Sequence, residues 1–156
     1  MKDAFSLPGA AAAALAFLCV GCGGGTPSDS SEAGRLSRSR ALWATASVNH
    51  YSFTVQRSCF CTPDSNRAVI VEVEKGAVKS LTFADDGTPA DPVMFSAFDT
   101  VEEQFAQIEQ AIRQNSTLTN VTYDPTLGYL TGAGIDWVPG ATDDEVSLTI
   151  TNFTRL

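Results

Sequence analysis

Cys59 and Cys61, one residue apart in the stretch RSCFCTP, are the side chains of this sequence whose type and spacing first suggest chemistry. A thiol pair can act as a redox centre, as half of a metal site or as a structural clip. A closed metal site needs about four ligands. The single histidine, His50, lies nine residues before Cys59, roughly 30 Å away along an uninterrupted strand and on its other face by phase. That separation also excludes a Cys–His nucleophilic pair or a Ser-His-Asp arrangement near the cysteines, so no catalytic residue is assigned. The remaining candidates are carboxylates: Asp124, Asp136, Asp143, Asp144 and Glu145, all in the turn-rich C-terminal part. Loops that brought them together would create an acidic binding cluster, able to supply an acid–base pair or oxygen ligands for a hard cation such as Ca²⁺. Their spacing is not that of an EF-hand, and adjacent strand residues point to opposite faces. The expectation is therefore solvated turn residues, with no metal and no cofactor.

Helices, strands and turns must position these groups. RLSRSRALWATAS reads as a short helix from about Arg35 to Ser47, with Leu36, Trp43 and Ala46 on one face and Arg35, Arg38 and Arg40 mostly on the other. In YSFTVQRSC, Tyr51, Phe53 and Val55 alternate with Ser52, Thr54 and Gln56, the pattern of a half-buried strand. If that strand runs on, its phase places both thiols on the core side. RAVIVEVEKGAVKSLTF reads as a hairpin turning at Lys75-Gly76. DTVEEQFAQIEQAIRQ is a long helix, with Thr100 and Glu103 as a capping box and Val101, Phe105, Ile108 and Ile112 as its apolar stripe. LTNVTY, YLTGAGIDW and EVSLTITNF supply three more strands after it. Hairpin-length connections predict an α+β domain: an antiparallel sheet of about six strands with one long and one short helix packed on one face.

The opening MKDAFSLPGAAAAALAFLCVGC carries an apolar run from about Gly9 to Val20. About a dozen apolar residues fall short of the roughly 20 needed to span a bilayer. Residues 1–21 accordingly read as an export signal. Gly21 before Cys22 resembles a lipobox, which makes Cys22 the lipidated first residue of the mature chain and the membrane a partner through that lipid. Residues 22–34, rich in Gly and Ser, read as a flexible tether, and 35–156 as a single domain. In an oxidising export compartment Cys59 and Cys61 pair by default. Same-face neighbours on a regular strand stand about 6.6 Å apart, long for a disulfide, so a kink near Pro63 is required. A three-residue loop contributes only about 1.6 kcal/mol, which favours local stiffening over fold stabilisation and leaves a reducible redox pair as the alternative.

The formal net charge is −8, with fifteen acidic against five basic residues from Asp64 onward. Such a body repels phosphate backbones and argues against nucleic acid as a partner. The N-terminal arginines read as a solvated helix face, with an anionic lipid surface as the alternative. Asn115-Ser-Thr, Asn120-Val-Thr and Asn152-Phe-Thr match the N-glycosylation pattern and are read as coincidence.

Trp43, Tyr51-x-Phe53, Cys59-Phe60-Cys61-x-Pro63, the valine hairpin, Thr100-Val101-x-x-x-Phe105, Tyr123-Asp124-Pro125-x-x-Gly128-Tyr129, Ile135-Asp136 and Asp143-Asp144-Glu145 occur in an order that resembles the bacterial domain-of-unknown-function family 6174. The resemblance runs from about residue 36 to 155. It departs at Leu130, where the family pattern has proline after Gly-Tyr. It implies an exported bacterial protein, often a lipoprotein, and supplies no activity. The expectation is a non-enzymatic binding or structural module of the cell envelope that meets an unknown envelope protein or component. With Gly23 after Cys22, it would sit in the outer membrane or at the cell surface if the source is Gram-negative. An envelope thiol-redox protein or a carboxylate-based enzyme is the alternative.

Overall fold

A computed structural model describes residues 30–156. The expected signal peptide, the lipidation residue Cys22 and the tether up to residue 29 lie outside the described residues. The first helix, α1, spans Glu32–Ala46. It begins three residues before the expected start at Arg35 because the Ser31 hydroxyl accepts a hydrogen bond from the Gly34 amide at 3.1 Å and caps it. With 15 residues it is as substantial as α3, Val101–Gln114, whose 14 residues follow the Thr100 cap read from the sequence. Two short elements carried no periodic signal: a 3-10 turn at Pro63–Asn66 and the single-turn helix α2 at Pro92–Phe95.

The six strands are β1 His50–Cys59, β2 Val69–Glu74, β3 Ala77–Phe83, β4 Thr117–Tyr123, β5 Leu130–Asp136 and β6 Glu145–Arg155. They form one sheet in the order β3-β2-β1-β6-β5-β4, every neighbouring pair antiparallel. The chain thus builds two three-stranded meanders and joins them by pairing β1 with β6 at the centre. Helix α3 carries the chain from the β3 edge to the β4 edge. One sheet face, with Tyr51, Phe53 and Val55 of β1, Val69, Val71 and Val73 of β2, and Val146, Leu148 and Ile150 of β6, is buried. Phe105 and Ile108 of α3 and Leu36 and Trp43 of α1 belong to the same core. The other face is polar, with exposed Gln56, Ser147, Thr149 and Thr151. Among the described residues no helix is long and apolar enough to cross a membrane.

Glu102, on the first turn of α3, ties the layers together by accepting from the Trp43 indole at 2.8 Å and from the Tyr51 hydroxyl at 3.4 Å. The same hydroxyl accepts from the Val101 amide at 3.3 Å, and burial pushes its pKa up. The α1 arginines are engaged rather than presented: Arg35 pairs with Glu32 at 3.1 Å and donates to the Val121 carbonyl, and Arg40 pairs with Glu109 at 2.7 Å.

All three asparagines of the glycosylation-like triplets adopt left-handed backbone, at φ 56° for Asn115, 52° for Asn120 and 54° for Asn152. Asparagine tolerates this region better than other side-chain-bearing residues. Asn115 ends α3, while Asn120 and Asn152 are the extra residues where the β4–β5 and β1–β6 registers shift. The bulge at Asn152 lets Phe153 return to the core side, where it stacks on Tyr129 at 4.2 Å and on Tyr51 at 5.5 Å. Backbone geometry thus accounts for asparagine at these three positions.

Candidate functional site

The antiparallel registers bring the ends of β1 and β5 and the start of β6 to one place, because Cys59 pairs with Val146 and Asp136 with Glu145. A cleft of about 420 Å³ opens there, lined by the Cys59–Cys61 segment, Phe98, Trp137 and the acids Asp143 to Glu145. Cys59 and Cys61 stand at disulfide-bonding distance, with Cα atoms 5.3 Å apart. The kink that a regular strand lacks is present: the Cys61 amide donates to the Cys59 carbonyl at 2.9 Å. Strand β1 ends at Cys59, which keeps the expected core-side phase and packs against the core, whereas Cys61, beyond the strand end, does not. Cys59 is half-buried, Cys61 is exposed, and Phe60 between them is 81 % exposed.

Asn66 holds this segment and had no signal in the sequence beyond its place after Pro63. Its Oδ1 accepts from the Cys59 amide at 2.9 Å, and its Nδ2 donates to the Cys59 carbonyl at 3.3 Å. One side-chain amide therefore stands in for a neighbouring strand where β2 has not yet begun. Arg57 forms the wall beneath: its guanidinium lies 4.7 Å from the Phe95 ring centre and its Nε donates to the Ser65 carbonyl at 3.3 Å. Burial lowers its pKa, and among the described residues it has no carboxylate partner. Phe98, buried, is set by fully buried Gln104, whose Nε2 donates to the Phe98 carbonyl at 3.1 Å.

The five candidate carboxylates divide between the two ends of the sheet. Asp136, Asp143, Asp144 and Glu145 lie at the cleft end. Asp124 does not join them. It precedes β5, whose seven residues run from one end of the sheet to Asp136 at the other, and its Oδ1 accepts from the Thr126 amide at 2.9 Å and the Leu127 amide at 2.7 Å. It is a turn cap, so of the five candidates for an acidic binding cluster it alone lies away from the other four, which share one end of the sheet without three of them being placed to hold a metal ion. Asp144 Oδ2 accepts from the Val138 amide at 2.6 Å. Asp136 Oδ1 and Asp144 Oδ1 are shielded from solvent without a hydrogen-bond donor. Burial first, then Asp144 and Glu145, push the Asp136 pKa above the ordinary range. Among the described residues no group of three or more His, Cys, Asp or Glu is placed to hold a metal ion. His50 opens β1 at the other end and meets Glu72 Oε1 at 2.9 Å.

A raised carboxyl pKa means that the folded state binds a proton more readily than the unfolded chain, so ionised Asp136 opposes folding at neutral pH. That opposition disappears as pH falls through the raised value towards the ordinary aspartate pKa of about 4. Asp136→Asn is accordingly expected to raise the melting temperature at pH 7 and to lose this advantage in acid. Thermal melts of both proteins between pH 3 and 8 measure it; a variant less stable than the parent at pH 7 would contradict the reading.

Comparison with known proteins adds a family rather than an activity. Residues 35–155 match the model of a family of unknown function, DUF6174. No curated protein and no solved structure matches.

Proposed function

The chain belongs to DUF6174, and on that membership together with the geometry of the cleft we propose that it is an exported, non-enzymatic docking module. Lipid on Cys22 anchors it in the bacterial cell envelope, the residues from 22 up to the Ser31 cap of α1 act as the tether, and the cleft at the end of β1, β5 and β6 receives an envelope partner. The observation that carries this reading is Phe60. A phenylalanine 81 % exposed, held on a short disulfide loop at the mouth of a cleft, contributes nothing to its own core and is positioned for contact. Val138, 60 % exposed and next to the cleft residue Trp137, extends the same apolar rim.

The test places a photo-crosslinking amino acid in the full chain at position 60, at 138, or at exposed position 126 beside the distant Asp124 turn. The same adduct is expected from 60 and 138 in intact cells, none from 126, and none from 60 once Trp137→Ser is added. Absence of any adduct from 60 and 138 overturns the docking reading. Cys22→Ser is expected to move the protein from the membrane to the soluble fraction; unchanged partitioning would overturn the anchor alone.

The disulfide loop separates positioning from stability. The double variant Cys59→Ser, Cys61→Ser is expected to cost no more than about 1.6 kcal/mol, the chain-entropy value for a three-residue loop, yet to abolish the position-60 adduct. A variant that folds normally, keeps the adduct and loses a thiol-exchange activity present in the parent would favour the redox alternative.

A further inference from the structure

We infer that the cleft takes a cationic peptide segment in which a lysine or arginine neighbours an aromatic or branched apolar side chain; the inference rests on the docking reading above and specifies its partner. Charge balance across the surface is the first ground. Several carboxylates elsewhere are ion-paired, Glu109 with Arg40 and Arg113, Glu72 with His50 and Lys79, and Asp85 and Asp86 with Arg67, and others accept from neutral donors, Asp91 and Asp124 from backbone amides and Glu102 from Trp43 and Tyr51. Asp136, Asp143, Asp144 and Glu145 have no cationic partner among the described residues. Three of these acids line the cleft, against the one cation Arg57, which is set over Phe95 and Phe98 in the apolar wall.

The second ground is what lies beside that charge. Phe60, Trp137 and Phe98 line the same cleft. An ammonium or guanidinium between an aromatic face and a carboxylate gains from both, and the neighbouring apolar side chain covers the ring surface that water now meets. A single metal ion does not answer this arrangement, because the acids are strung along consecutive chain positions and no three of them converge. An anionic lipid or phosphate surface is repelled by them.

The probe is a phage-displayed library of random peptides, selected on the full chain and followed by titration of the synthesised hits. Enriched sequences are expected to place Lys or Arg beside Phe, Trp, Leu or Ile. Their affinity is expected to fall about tenfold or more in the double variant Asp144→Asn, Glu145→Gln, to fall also in Phe60→Ser, and to weaken as salt rises. The charge-matched double variant Glu72→Gln, Glu74→Gln, at the far end of β2, is expected to leave affinity unchanged. Hits that Phe60→Ser abolishes but that are neutral or acidic, or that respond equally to both charge variants, overturn the cationic partner and leave docking at the cleft intact. A library yielding no peptide sensitive to Phe60→Ser overturns both.

Discussion

Gly128→Ala is expected to destabilise the domain by about 2–5 kcal/mol, combining a left-handed backbone penalty of roughly 1–2 with an overpacking cost of roughly 1–3. Gly128 sits at φ 83°, and a Cβ there would lie 2.2 Å from the Ser39 carbonyl oxygen on α1. That atom is backbone in the middle of a helix, so it yields only if α1 lifts from the turn. The turn cannot shift instead without breaking its own bonds: the Gly128 amide donates to the Asp124 carbonyl at 2.9 Å, and the Asp124 amide to the Tyr129 carbonyl at 2.8 Å. Gly87 supplies the control, with φ 71° and nothing within 4 Å of an added Cβ. Gly87→Ala carries the backbone penalty without the collision. Urea titration of both variants measures the difference; equal losses would mean that the contact between α1 and the Asp124 turn contributes nothing.

Phe95→Ala is expected to cost about 3–5 kcal/mol, the range for removing a fully buried aromatic side chain. Phe95 is wholly inaccessible, meets Phe83 edge-on at 6.3 Å and carries the Arg57 guanidinium on its ring. Its removal therefore opens a cavity and also takes an aromatic face from a desolvated cation. Phe60→Ala is expected to change stability by less than about 0.5 kcal/mol, because that ring is already in water. Denaturant unfolding of the two variants separates the fold's phenylalanine from the surface's. A loss above about 2 kcal/mol for Phe60→Ala would assign Phe60 to the core and remove the ground for docking.

Much of the architecture was legible before any coordinates. Period-two alternation in β1 and β6, the Lys75-Gly76 turn and the capped stripe of α3 each specify an element from residues close together in the chain, which is where periodicity and turn chemistry operate. What these signals missed was short or depended on a distant partner. Helix α2 has four residues, too few for a period, and its importance comes from Phe95 meeting Phe83 and Arg57. Gln104 was unremarkable in a helical stripe, yet it is fully buried and bonds the Phe98 carbonyl. The three asparagine triplets were read as a coincidental match to a modification pattern, and what the spelling did not reveal is that a helix end and two bulges use asparagine there for its left-handed backbone.

The candidate site divides along the same line. The chain's own pattern determined that Cys59 and Cys61 stand at a strand end needing a kink, that His50 is too far along that strand to join them, and that the later acids are turn-associated. Those are statements about sequence separation, and separation along one strand fixes distance directly. Which acids meet was decided only by the pairing of β5 with β6, which sets Asp136 opposite Glu145 and leaves Asp124 at the other end of β5. The pairing of β1 with β6 likewise brought Cys59 to Val146 and made the disulfide loop one wall of a cleft rather than an isolated clip. Strand partners far apart in the chain are chosen by burial of a whole sheet face, a collective property that no local spacing encodes.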